Sequence, residues 1–84
     1  MKWILCKDEL PKNNHVKYLI TRKMFLYPDN TVEVAYFSNN LKEVDEYDFD
    51  EARAGFYSYD EGGYYEIKNV VAWMECPYPY KEEY

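Results

Sequence analysis

Two β-prone runs that meet across a three-residue turn constrain this chain more than any other feature. Residues 16–27 place Tyr18, Ile20, Met24 and Leu26 on one period-2 face and Leu19, Phe25 and Tyr27 on the other. Apolar residues on both faces predict a central strand. Residues 31–37 return as its partner, with Val32, Val34 and Tyr36 facing one way. Between them, Pro28 presets φ for a turn, while Asp29 and Asn30 tolerate the conformations that close a hairpin.

The same pattern extends over the rest of the chain. Trp3-Ile4-Leu5-Cys6 reads as a first edge strand, ended by charge and Pro11. Phe56-Tyr57-Ser58-Tyr59 and Tyr64-Tyr65-Glu66-Ile67 flank Asp60-Glu61-Gly62-Gly63, a hairpin loop in which both glycines are free to take positive φ. Val70-Val71-Ala72-Trp73-Met74 reads as a last strand buried on both faces, and Trp3 and Trp73 as core residues stacking where first and last strands approach. The 17 aromatic residues, 11 of them tyrosine, suit a half-buried pleated surface. The predicted fold class is therefore mainly β, a small antiparallel sheet of 4–6 strands. An α+β variant arises if residues 41–54 form a short helix, with Asn40 as cap, Glu43 three residues on and Gly55 as terminator. A chain of 84 residues makes one domain, 1–84, in which the prolines of residues 76–84 predict an extended tail.

Charge is distributed unevenly. Residues 43–61 hold eight acids against Arg53 alone, net −7, whereas residues 1–42 sum to +3 and residues 62–84 to −2. A net charge of −6 argues against direct nucleic-acid binding and against anionic membranes, both of which call for Lys/Arg patches. With no apolar run near 18 residues and no signal-like segment, a cytoplasmic location is expected. Cys6 and Cys76 then read as reduced, buried thiols, a disulfide between them being the competing reading. His15, the sole histidine, falls in a polar turn and is expected to be exposed.

Trp3-Ile4 followed by Lys7-Asp8-Glu9-Leu10-Pro11 resembles the W-I-x-x-x-D-x-L-P opening of a domain-of-unknown-function family of short phage and prophage proteins. Residues 32–37 are similar to that family's middle strand, and residues 70–77 to its closing V-x-x-W-M-P-L-P, with Glu75 standing where proline is usual. The resemblance implies a mobile-element origin, a bacterial host cell and a small sheet domain, and brings no catalytic residues. Against it, residues 40–54 look like an acidic insertion, and extra material on a small scaffold is more often functional than structural.

Glu46-Tyr47-Asp48-Phe49-Asp50 alternates without a break. As a strand it sets three carboxylates on one face at intervals of about 6.6 Å, comparable with successive phosphates of a nucleic-acid strand, with the aromatics turned to the core. As a helix it groups Glu43, Glu46 and Asp50 instead. Asp45, Asp48 and Asp50 lack the glycine and terminal glutamate of a calcium loop, so neither metal nor cofactor is expected, and neither Ser58 nor either cysteine has a base at hand for enzyme chemistry. The expected binding set is Glu43, Asp45, Glu46, Asp48, Asp50 and Glu51 with Tyr47, Tyr57, Tyr59, Asp60 and Glu61, since tyrosine beside carboxylates makes a receptor for arginine. The expected function is stoichiometric inhibition of a host nucleic-acid-binding defence complex, in the manner of anti-CRISPR proteins, through a basic protein surface and as a nucleic-acid mimic. The alternative is a structural or accessory phage protein binding through its tyrosines, as a monomer or weak homodimer.

Overall fold

The structure, a computed structural model, describes residues 2–24, 29–45, 49 and 51–77. In β2 (Lys17–Arg22) Tyr18 and Ile20 are buried, and β3 (Thr31–Ser38) answers with buried Ala35 and Phe37. The register pairs Tyr18 with Ala35 and Ile20 with Glu33, so these side chains share one face, which we call the inner face. β4 (Gly55–Asp60) adds Phe56 opposite Phe37, β5 (Gly63–Ile67) adds Ile67 opposite Phe56, and β6 (Val70–Glu75) adds Trp73 opposite Ile20. β1 (Ile4–Leu5) completes the row with Ile4 opposite Trp73. The result is one six-stranded antiparallel sheet in the order β1-β6-β2-β3-β4-β5, with β2 central as expected of the run from Val16, although β2 ends at Arg22 and residues 25–28 of the expected strand and turn lie outside the described residues. Among the described residues the segment 41–54 contributes a single 3-10 turn, Leu41–Glu43.

The inner face is closed by the chain's own N-terminal segment. Trp73 Nε1 donates to the Glu9 carbonyl (2.9 Å), Tyr18 Oη donates to the Asn13 carbonyl (3.5 Å), and the His15 N–H donates to the Phe37 carbonyl. Pro11, within this strap, is buried. The first two contacts hold residues 9–13, which have no strand of their own, against the core, while the third, with Phe37 N–H donating to the Val16 carbonyl, prolongs the β2–β3 ladder. Residues 3–11 and 70–77 meet here, at the corner where β1, β6 and the strap join.

Three expectations change. Trp3 is 39% exposed whereas Trp73 is 6% exposed and edge-on to Tyr18, because in the two-residue β1 it is Ile4 that points inward. Val71 is exposed rather than buried, next to a register shift in the pairing of β6 with β2. In the β4–β5 hairpin only Gly63 takes positive φ (114°), while the Gly62 N–H is held by Asp60 Oδ1 at 2.8 Å. Cys6 and Cys76 are free thiols, both half-buried. Residues 78–84 of the expected tail lie outside the described residues.

Candidate protein-binding surfaces

Segment 40–54 is tied down at its stem. Asn40 caps the 3-10 turn by accepting from the Lys42 N–H (3.1 Å), and its own backbone is held by buried Ser38, whose hydroxyl donates to Asn40 O and accepts from Asn40 N–H. Leu41 N–H donates to the Arg53 carbonyl at 2.8 Å, which joins the two ends of the segment. Leu41 is fully buried against Gly55, where a Cβ would come within 2.8 Å of Leu41 Cδ1, so glycine is what lets β4 start this close. Leu41 and Phe49 then pack on Tyr57, with Val44 and Tyr36 alongside, as a second small core on the outer face of the sheet. Among the described residues of the segment, Leu41, Val44 and Phe49 are therefore structural.

Of the predicted binding residues, Glu43 and Glu51 are exposed and Asp45 is half-buried, its carbonyl accepting from Phe49 N–H at 2.9 Å. Glu46, Tyr47, Asp48 and Asp50 lie outside the described residues. Asp60 and Glu61 are exposed at the β4–β5 tip, five residues along β4 from its start and therefore about 17 Å away. The described carboxylates form two separate groups. Tyr59 is 56% exposed, but Tyr57 is only 5% exposed. The Tyr57 ring is covered by Leu41 and Phe49 and its hydroxyl meets His15 Nδ1 at 2.7 Å, so it is a core residue and not a contact for a partner's arginine. Burial raises the Tyr57 phenol above its ordinary pKa.

Sequence reasoning missed the role of Arg53. Its guanidinium grips both carboxylate oxygens of Glu66 on β5 and also reaches Glu51 at 3.4 Å. The Glu66 hydrogen bonds raise the Arg53 pKa further, and in return Arg53 holds Glu66 below the usual carboxylate range. Glu51 is therefore partly neutralised within the chain, whereas among the described residues no cation stands within ion-pair distance of Glu43, Asp60 or Glu61. Beside the clamp runs a shallow groove of about 320 Å³, bounded by Glu51, Arg53, Tyr64, Tyr65, Glu66 and Lys68. Two acids and two bases balance there. No signal in the sequence marked the clamp, since residues 53 and 66 meet only across β4 and β5.

The outer face carries a second feature. Met74, Leu19 and Val34 lie side by side in register, and stacked Tyr36 and Tyr59 followed by Tyr64 carry the row across β4 and β5. Beside it run Leu5, Ala72, Thr21 and Val32. Comparison with protein-family models, with curated proteins and with solved structures finds no match for the chain.

Proposed function

We propose that this chain is a small acidic phage or mobile-element protein that acts by stoichiometric binding, occupying a basic surface of a host nucleic-acid-binding defence complex as anti-CRISPR-type inhibitors do. The observation that carries this is the construction of segment 40–54. Leu41, Val44 and Phe49 anchor it to the sheet while Glu43 and Glu51 face solvent, in a molecule of net charge −6. A segment rigidly held at its stem presents charge with little ordering cost on binding, and a cationic groove that normally takes a phosphate backbone supplies the complement. With Tyr57 in the core, contact with arginine stems falls to Tyr59 at the other end of β4, where Asp60 and Glu61 adjoin it.

Replacing Glu46, Asp48 and Asp50 together by serine abolishes capture of the host target from lysate and leaves the fold intact by circular dichroism. Capture of the same target at undiminished affinity refutes the proposal. Wild-type capture should also weaken steeply between about 50 mM and about 200 mM salt, as charge-driven contacts do. The exposed Val32 and Val34 favour a second reading, an accessory interaction module working through the outer face, whose binding is insensitive to salt.

A further inference from the structure

We infer that the free edge of β5 takes an extended segment of a partner protein as an added strand, with an apolar side chain seated beside Ile67 and an acidic one against Lys68. The register fixes which groups pair. Asp60 and Gly63 face each other across a two-residue loop and exchange both ladder hydrogen bonds, so the bonds recur at Ser58–Tyr65 and Phe56–Ile67. Tyr64 and Glu66, lying between, turn their N–H and C=O groups to the open side, and among the described residues these groups meet no partner. The opposite edge of the sheet is blunted, as edges normally are: β1 is two residues long, and its Leu5 carbonyl accepts from the N–H groups of Asp8 and Glu9.

The surroundings of this edge specify the segment. One groove runs beside Tyr64 and Tyr65, which stand exposed on the two faces of β5, and a second, of about 240 Å³, lies over Leu10, Phe56, Ile67 and Val70; Glu66 and Lys68 line both. Charge is the usual guard of an exposed edge. Here the Glu66 carboxylate is held back by Arg53, and Lys68 has no acid within ion-pair distance among the described residues. What remains open is a row of ladder groups, an apolar hollow at the Ile67 end and one ammonium group without a salt bridge. An extended chain carrying an apolar residue close to a carboxylate complements all three. A second copy of β5 does not: paired antiparallel about Tyr65 it sets Gly62 and Gly63 against the apolar hollow, and paired about Glu66 it sets that carboxylate opposite its own copy.

The proposal uses none of the residues assigned to the basic host surface, so the two stand or fall separately. Amide hydrogen exchange of the free chain tests the edge without any partner: Tyr64 and Glu66 should exchange fast, and Tyr65 and Ile67 slowly. Peptides are then selected on the full chain from a random display library, synthesised and titrated against it by nuclear magnetic resonance. Bound peptides should protect the Tyr64 and Glu66 amides and carry an acidic residue near an apolar one. Methylating the peptide nitrogens that face β5 should weaken binding about tenfold. Selection repeated on Lys68→Glu should return lysine or arginine in place of the acid, whereas Lys42→Glu, on the 3-10 turn, keeps the original preference. Tyr64 and Glu66 amides already protected in the free chain overturn the proposal, whether its own residues or a second copy protect them. So do a library that yields no binder at this edge, binders indifferent to methylation, or the same acidic peptides selected on Lys68→Glu.

Discussion

The indole N–H of Trp73 reaches the backbone carbonyl of Glu9 at 2.9 Å, joining residues 64 apart in the chain. This bond sits where the last long strand, the first short one and the strap converge, and the carbonyl it satisfies belongs to a segment with no ladder partner. Trp73→Phe keeps most of the ring contact with Tyr18 but leaves Glu9 O without its donor. We expect a loss of about 1–3 kcal/mol, measured by urea denaturation. Trp3, already exposed, then becomes the only indole, so the emission maximum should shift to the red while the far-ultraviolet dichroism stays that of a sheet.

Gly55 is held to its identity by Leu41. Gly55→Ala places a methyl 2.8 Å from Leu41 Cδ1 and 3.3 Å from a Glu66 oxygen, and Leu41 is too enclosed to turn aside. Overpacking of this kind costs about 1–3 kcal/mol. Combining it with Leu41→Ala should cost less than the two single changes together, because the second removes the group with which the first collides. Strict additivity in a double-mutant cycle would show that the contact carries no strain.

The period-2 patterning of the sequence makes the antiparallel sheet and the central place of the run beginning at Val16 legible, because period-2 burial is a local property that strands carry with them. What stayed hidden depends on residues brought together from far apart. Tyr57 and Tyr59 share a face by alternation, and nothing local says that Leu41 and Phe49 will cover one and leave the other open. Trp3 and Trp73 look equivalent as letters, yet β1 is so short that its one inward position goes to Ile4. Arg53 reads as a lone cation in an acidic run until β5 brings Glu66 to it. The candidate surface was therefore legible in composition and much less so in geometry.

The Arg53–Glu66 clamp makes stability depend on pH at the acid end. The hydrogen bonds from Arg53 depress the Glu66 pKa in the folded protein, so folding favours the ionised form. That contribution is fully present above the unfolded carboxylate value, about 4.3, and fades as pH falls through the lower folded value. Glu66→Gln should lower the urea midpoint at pH 7 and make the decline between about pH 5 and about pH 2 shallower than in wild type. Parallel curves for the two proteins would mean that the clamp is too well solvated to contribute.

At the alkaline end the sign reverses around Tyr57. Burial raises its pKa above the ordinary phenol value, helped by nearby Tyr64, Tyr36 and Tyr59, so the folded state prefers the protonated hydroxyl that meets His15 at 2.7 Å. Stability from this group is complete below the unfolded value near 10 and is lost as pH rises through the higher folded value. Tyr57→Phe removes that titration while keeping the ring under Leu41 and Phe49. We expect the variant to lose about 0.5–1.5 kcal/mol at neutral pH from the missing hydrogen bond. Between about pH 9 and about pH 12 it should then lose less stability than wild type, as followed by thermal unfolding. If both proteins unfold along the same alkaline curve, the transition belongs to other tyrosines and the Tyr57 hydroxyl is not the group that folding protects.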